Sequence, residues 1–289
     1  KVIRDVSGLG PDHANDVDLN NIQQIEIVRG PSSLLYSNGA IGGIVNIVDN
    51  TIARKDFTES KFQLGLEAQT VNNGDSHDFS YQNNIGGLNF SAAYKDSQFG
   101  EYDIPEGAVV HDEEDHPGEE PEEDLNHLPN SDAGSTSKKV GISKTGDWGY
   151  LGLSFSENEN LYGIPFHGDD HDDHPDEEPE EERIFSTTES NVTNLEGSYV
   201  LDNSWLAKID YNFRDSDYSL TEQHAEEEGH LIEDLENDPH KEEGPTTFSN
   251  EAQEYGAIFD LANDSISQKI AINFVVEDIS VIGDEAFIN

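Results

Sequence analysis

The stretch IQQIEIVRGPSSLLYSNGAIGGIVNIV, residues 22–48, holds two apolar segments separated by a turn and a glycine cluster. Ile25 and Ile27 alternate with other residues and predict a first strand, residues 29–31 (RGP) predict a turn, and residues 44–48 predict a second strand. Three glycines would permit positive φ or a close approach of the backbone: Gly39, Gly42 and Gly43. Taken alone, this pattern fits any small αβ unit, so the flanking chain has to decide.

Composition narrows the class of protein. The 289 residues carry a formal net charge of -47, which would repel nucleic acid and makes cations the natural partners. The chain has no Cys, which excludes disulfides, thiolate metal sites and a cysteine nucleophile. It also has no Met, even at position 1, and shows no signal peptide, so we expect a processed or excised fragment. No run of about 18 apolar residues predicts a membrane helix.

From residue 61 onward the pattern changes to a period of two. The sequence KFQLGLEAQT places Phe62, Leu64, Leu66 and Ala68 on one face of a strand. We count about nine such strands, in which short turns alternate with longer loops, so the long loops should all emerge at one end of an antiparallel sheet. This pattern is the signature of an outer-membrane β-barrel, and an odd number of strands suggests that its C-terminal part is missing from the chain.

Aromatic residues near the strand ends fit the girdles of a membrane barrel. The residues that we assign to these girdles are Tyr81, Tyr94, Phe99, Trp148, Tyr150, Phe155, Tyr199, Trp205, Tyr211, Phe213 and Tyr218. The competing interpretation is a soluble β-sandwich or a lipocalin-like barrel. Loops of about 35 residues are uncommon in compact soluble domains unless they are functional or disordered, which favours the membrane barrel.

The negative charge is concentrated in three places, which we name acidic segment 1 (residues 101–137), segment 2 (residues 157–190) and segment 3 (residues 215–251). Together they hold 39 of the 62 acidic residues and nine of the eleven histidines. Those histidines are His111, His116 and His127 in segment 1, His167, His171 and His174 in segment 2, and His224, His230 and His240 in segment 3. We therefore expect the three segments to form one acidic, imidazole-rich face.

Imidazole and carboxylate ligands without sulfur suit zinc, nickel or copper better than calcium. In segment 2, the histidine spacing could bring three imidazoles to one ion, with Asp170 and Asp173 as further ligands. No spacing matches a closed structural zinc site, an HExxH motif or an EF-hand. Solvated acidic loops that bind nothing specific remain the simpler alternative for any one segment. Three histidine-bearing segments on one face favour weak capture of metal at several sites.

Catalysis is not indicated. The sequence has no glycine-rich phosphate loop and no nucleophile elbow, and nothing singles out a pair of carboxyl groups with separated pKa values. We expect the chain not to be an enzyme and to have no organic cofactor.

The opening stretch resembles the C-terminal half of the plug in TonB-dependent outer-membrane receptors. The resemblance lies in an I-E-hydrophobic-hydrophobic-R-G-P element, a Leu-Tyr pair and an A-x-G-G-x-x-N element. The matching residues include Glu26, Arg29, Gly30, Pro31, Leu35, Tyr36, Gly39, Ala40, Gly42, Gly43, Val45 and Asn46. The resemblance implies a plug ending near residue 58, followed over residues 59–289 by the first part of a barrel that would have 22 strands when complete. It also implies that Glu26 and Arg29 form a buried, structural pair.

Within that superfamily the chain is similar to the ZnuD-like zinc receptor subfamily. Four elements carry this similarity: GPDHANDV at 10–17, VDN at 48–50, LYGIPFHGDDHDDH at 161–174 and GDEAF at 283–287. The similarity implies zinc as the transported ion, energising by TonB, and Asp12 and His13 as ligands at the plug apex. A TonB box and the front of the plug are not seen, so we expect that this fragment alone does not transport.

These observations predict an all-β, monomeric protein of the Gram-negative outer membrane, in contact with lipid, TonB and zinc. Two alternatives stay open. The first is a receptor for a siderophore, haem or another metal chelate, although basic and aromatic residues are scarce in the acidic segments. The second is a soluble, metal-buffering β-protein.

Overall fold

The computed structural model describes residues 22–30, 43–108, 126–165, 182–201, 205–226, 245–262 and 267–283. Within these ranges the chain forms strands joined by turns, and no helix is long and apolar enough to cross a membrane. The thirteen strands are β1 (Ile22–Arg29), β2 (Gly43–Asp49), β3 (Lys61–Ala68), β4 (Asp75–Ile85), β5 (Leu88–Phe99), β6 (Tyr102–Asp103), β7 (His127–Leu128), β8 (Ala133–Gly146), β9 (Gly149–Gly163), β10 (Glu182–Val200), β11 (Leu206–Glu226), β12 (Thr246–Ala262) and β13 (Ser267–Ile282).

Nine of these strands form one antiparallel sheet, in the order β13-β12-β11-β10-β9-β8-β5-β4-β3. This confirms the count of about nine strands made from the period-two pattern. Each strand of this sheet pairs with the strands before and after it in sequence, except that β5 pairs with β8. The residues between β5 and β8 carry a separate antiparallel pair, β6–β7, whose strands have two residues each. A separate antiparallel pair, β1–β2, is the strand–turn–strand unit predicted at residues 22–48.

The strands nearest segments 2 and 3 are longer than the sequence pattern suggested. Strand β10 has 19 residues and β11 has 21, and their register runs unbroken from Glu182 and Glu226 down to Val200 and Lys208. His224 therefore lies on a strand and not in a loop. The sequence pattern missed these extensions because backbone hydrogen bonds between strands do not require alternating apolar side chains. The ends of β10 and β11 near segments 2 and 3 lack that alternation.

The two faces of the nine-stranded sheet differ in chemistry. We call the face that contacts residues 49–57 the inner face, and the opposite face the outer face. On the outer face of β9, Leu151, Leu153 and Phe155 are each more than 40% exposed, and Phe62, Leu64 and Leu66 on β3 are more exposed still. Inner positions of the same strands are small or polar, with Gly152 and Ser156 buried. This alternation is that of a barrel wall with a lipid-facing exterior.

Aromatic contacts occur at several levels of the outer face. Trp148 and Tyr199 lie at the short-turn end with ring centroids 6.4 Å apart, whereas Tyr255 lies between Phe213 at 5.0 Å and Phe274 at 6.2 Å. Three of the predicted girdle residues are wrong. Phe99 lies an odd number of residues from Tyr94 along β5 and therefore on the inner side of the sheet. The hydroxyl of Tyr150 donates to Glu196 on the inner face, and Tyr218 is buried there, an odd number of residues from Phe213 along β11.

Candidate functional site

The stems of all three acidic segments lie at the same end of the nine-stranded sheet. The short connections between β4 and β5, β8 and β9, β10 and β11, and β12 and β13 lie at the other end. Phe185 at the stem of segment 2 is paired with Gly163 across to β9, and its neighbour Ile184 is paired with His224 of segment 3. The backbone nitrogen of Gly163 donates to the carbonyl oxygen of Asp132 in segment 1. The predicted convergence of the segments is thus confirmed for their described stems.

His127 is the predicted metal ligand whose side chain the structure describes. It lies in β7 opposite Asp103 of β6, and its Nε2 is 3.5 Å from Glu101 Oε2. Its Nδ1 is 3.0 Å from Asn126 Oδ1. Both the imidazole and the Glu101 carboxylate are about two-fifths exposed, so the pair is open to solvent and to ions. Glu101 was not singled out from the sequence, because one acid among thirteen in its segment carried no distinguishing signal.

The other predicted ligands cannot be placed in this way. His224 has a described backbone on β11, opposite Ile184. The remaining predicted ligands lie outside the described residues: Asp12, His13, His111, His116, His167, Asp170, His171, Asp173, His174, His230 and His240. Among the side chains that are described, no group of three or more His, Asp or Glu residues could hold a metal ion.

The plug motif is structural, but its ion pair differs from the expectation. Glu26 Oε2 accepts a hydrogen bond from Asn46 Nδ2 at 2.9 Å across the β1–β2 pair, while Arg29 is exposed. The expected buried pair of Glu26 with Arg29 is therefore wrong. Residues three apart on one strand point to opposite faces, so these two side chains cannot meet within β1.

Two motif glycines show why the motif needs them. Gly30 follows β1 with φ +74 and Gly43 begins β2 with φ +146, conformations that side-chain-bearing residues rarely adopt. At Gly43 an added Cβ would also lie 2.7 Å from the carbonyl oxygen of Val28. The other motif residues, Pro31, Tyr36, Gly39 and Gly42, lie outside the described residues.

Residues 49–57, which we name the strap, run from the end of β2 across the inner face of the sheet. Thr51, Ile52 and Ala53 are each no more than 8% exposed. The carbonyl oxygen of Thr51 accepts from Ser91 Oγ on β5 at 2.6 Å, and that of Ala53 accepts from Ser143 Oγ on β8 at 2.8 Å. Residues 51–57 have a mixed composition with neither the helical nor the strand period, so no sequence pattern pointed to this contact.

Glycines on the wall make room for the strap. An added Cβ on Gly141 of β8 would lie 1.9 Å from the carbonyl oxygen of Thr51, and one on Gly152 of β9 would lie 2.2 Å from Ile52 Cγ2. Burial of a side chain such as Ile52 stabilises a fold by about 1.5–3 kcal/mol. The strap therefore packs directly against the inner face of the sheet.

Charged groups fix the second half of the strap. Arg54 Nε lies 3.2 Å from Glu196 Oε1 on β10, and the Arg54 guanidinium lies 5.9 Å from the ring centroid of Tyr150. Asp56 Oδ1 accepts from Thr145 Oγ1 at 2.7 Å and from Asn89 Nδ2 at 2.9 Å. These two hydrogen bonds favour the ionised form and lower the pKa of Asp56 below its usual range.

The part of the chain up to the start of β2 is similar to known proteins. Residues 3–44 match the family model described as TonB-dependent Receptor Plug Domain. Over 60 residues the chain is 35% identical to a Bordetella pertussis protein described as "Probable TonB-dependent receptor BfrD", a match that covers 21% of this chain and 8% of that protein. Residues 3–44 are therefore similar to part of the plug of TonB-dependent receptors, and barrel-type strands follow them in the chain.

The fold of this receptor agrees with that assignment. It is similar to the FrpB iron transporter from Neisseria meningitidis (F3-3 variant), with a TM-score of 0.51 at 13% identity. That match covers 95% of this chain and 52% of the solved chain, so the receptor sequence spans about half of the length of its solved neighbour. The nine-stranded sheet is therefore part of an outer-membrane barrel, and the receptor is a protein of the Gram-negative outer membrane.

The acidic stems and the strap lie at different heights on the barrel wall. The acidic stems lie at one end of the barrel wall, and the strap lies on its inner face towards the short-turn end. Between them, inner positions carry polar groups such as Ser137 and Asn158, which hydrogen-bond to each other at 2.9 Å, and charged groups such as Arg214 and Glu254, which pair at 3.3 Å.

Proposed function

We propose that this receptor takes up a divalent metal ion in a TonB-dependent manner, with zinc as the first candidate. The observation that supports the proposal is the meeting, at one end of the sheet, of the stems of three segments that hold nine histidines and 39 acidic residues. Imidazole and carboxylate groups without thiolates favour zinc and other borderline ions over calcium. On this proposal the chain is a monomeric transporter and not an enzyme, and it needs no organic cofactor.

The residues have distinct roles in this proposal. The histidines of the three segments capture the ion outside the cell, assisted by Asp170 and Asp173 in segment 2. Asp12 and His13 then accept it above the plug, and TonB acts on the plug to admit it. The polar inner wall offers oxygen ligands along the route, which keeps binding weak enough for release.

Zinc titration of the purified receptor by calorimetry tests the capture step. We expect the variant with His167, His171 and His174 changed to Ala to bind zinc about tenfold more weakly or worse, since each lost ligand removes a metal bond. The matched control is His77→Ala, because His77 is a histidine on β4 outside the acidic segments. Unchanged zinc affinity in the triple variant would contradict the role proposed for segment 2. Calcium binding as tight as zinc binding would show that the imidazoles do not determine the choice of ion.

A second candidate is uptake of iron or an iron chelate, favoured by the likeness in fold to a solved iron transporter. The scarcity of basic and aromatic residues in the acidic segments speaks against an organic chelate. Uptake of radioactive zinc and of ferric chelates by cells that produce the full receptor distinguishes the two. Growth rescue by an iron chelate together with no zinc uptake would replace the first proposal with the second. The exposed apolar side chains of the outer face count against a soluble metal buffer.

A further inference from the structure

We propose that Asn130 is a positioning residue that couples acidic segments 1 and 2, so that they bind metal as one unit. This inference rests on the proposed function for its metal-binding part. Its structural part, a clamp of one segment on the other, stands on described contacts alone. No sequence motif pointed to Asn130, which lies three residues after His127 in a polar stretch.

The side chain of Asn130 holds both stems of segment 2 at once. Its Nδ2 donates to the carbonyl oxygen of Ile164 at 2.8 Å and to that of Ile184 at 2.5 Å. Ile164 follows β9 and Ile184 lies near the start of β10, on either side of the stretch that bears His167, His171 and His174. This amide group thus adds a side-chain link to the backbone hydrogen bond of 3.0 Å from Ile164 N to Ile184 O, which also joins the two ends of that stretch.

The backbone of Asn130 carries the link back to segment 1. Its nitrogen donates to Glu101 Oε1 at 2.7 Å, and the other oxygen of the same carboxylate is 3.5 Å from His127 Nε2. A predicted metal ligand is therefore connected, through one carboxylate and one asparagine, to both stems of segment 2. Any ion that draws His127 or Glu101 to itself acts on the group that holds Asn130.

The surroundings make the junction specific to this residue. Asn130 has φ +56, a left-handed conformation that Asn, Asp and Gly tolerate. Gly163 lies against it, and an added Cβ there would be 2.3 Å from the carbonyl oxygen of Asn130. Ile164, Ile184 and Phe185 are each at most 5% exposed, so the hydrogen bonds lie at the edge of a dry cluster. Loss of the Nδ2 hydrogen bonds removes a donor from both carbonyl groups, of which that of Ile184 keeps the 3.0 Å hydrogen bond from Ile164 N.

Hydrogen exchange without metal tests the clamp. Asn130→Asp keeps the shape and tolerates the left-handed backbone but has no N–H donor, and Asn130→Gly keeps the backbone and lacks the side chain. We expect both variants to speed exchange of the Gly163 and Ile164 amides about tenfold, because each removes the two hydrogen bonds that Nδ2 donates. Ser131→Ala is the matched control, since Ser131 Oγ accepts from Tyr102 N and donates to the Leu128 carbonyl within segment 1. Exchange that is unchanged in both Asn130 variants, or equally raised in Ser131→Ala, overturns the clamp.

Zinc binding by a double-variant cycle tests the coupling. We expect His127→Ala to weaken zinc binding in the native background and to have a clearly smaller effect in the Asn130→Asp background, because the route to segment 2 is cut there. A merely structural role of Asn130 would give additive effects, and additivity overturns the coupling. A native receptor that binds no zinc would overturn the proposed function and the metal-binding part of this inference, while the metal-free exchange result still decides the clamp.

Discussion

Arg54 in the strap is joined to Glu196 on β10 by a hydrogen-bonded ion pair of 3.2 Å, although 142 residues separate them in sequence. The Arg54 side chain is 56% exposed and that of Glu196 is 21% exposed. The pair fixes the direction of the strap more than it stabilises the receptor, because partly exposed ion pairs are weak.

For this pair we expect a coupling energy of about 0.2–1 kcal/mol between Arg54→Ala and Glu196→Gln in a double-mutant cycle. The measurement is urea-induced unfolding of the receptor in detergent. Tyr150→Phe removes the hydroxyl that donates to Glu196 at 3.3 Å and serves as a third variant. A coupling energy well above this range would mean that the pair is desolvated in solution and contributes more to stability than its exposure indicates.

Gly141→Ala should displace the strap from the wall. The added Cβ would lie 1.9 Å from the Thr51 carbonyl oxygen, and such overpacking costs about 1–3 kcal/mol. The measurement is the mobility of a spin label on Lys55→Cys, which is exposed in a chain that has no other cysteine. The control is Gly134→Ala on the same strand, where the nearest atom to the new Cβ is Ser97 O at 3.8 Å. Equal label mobility in the two variants would show that the strap does not rest on β8.

The contact of Asp56 should weaken in acid. Its pKa in the folded receptor is lowered by the hydrogen bonds from Thr145 and Asn89, so ionisation stabilises the contact above the ordinary aspartate pKa of about 3.9. That contribution is lost as the pH falls through the lowered folded pKa. We expect the Lys55→Cys spin label to become more mobile in this acidic range. Asp56→Asn should abolish the pH dependence, because the amide does not titrate. A pH dependence that survives this substitution would assign the effect to another group.

A charge on the outer face should be costly where the wall meets lipid. Leu153→Arg on β9 should destabilise the receptor by about 2–4 kcal/mol in vesicles, the usual penalty for arginine near the bilayer midplane. Glu189→Arg is the control, since Glu189 is exposed on β10 six residues towards the acidic end from Leu195, the cross-strand partner of Leu153. Folding yields measured over a urea series in vesicles report both. Equal effects of the two substitutions would place the lipid boundary higher on the wall than the exposed apolar residues indicate.

Local pattern was sufficient for most of the fold. The alternation of Phe62, Leu64 and Leu66 predicted an outward face, and all three are exposed on β3. The ordering of short and long connections predicted that the acidic segments share one end, because antiparallel pairing leaves no other arrangement. The positions of Tyr150 and Tyr218 were assigned wrongly, because tyrosine occurs on both faces of the sheet. Only an odd or even position along the strand decides which face a residue occupies.

The sequence by itself determined the superfamily, through the motif at residues 22–48, and the sheet, through a period of two that recurs in each strand. Both signals are local: backbone geometry fixes the alternation, and positive φ fixes glycines such as Gly30. Only the tertiary structure decided that the strap packs on the wall and that Asn130 holds segment 2. Those contacts join residues from 34 to 142 positions apart, and the residues that make them have no local signal to distinguish them from others of their kind.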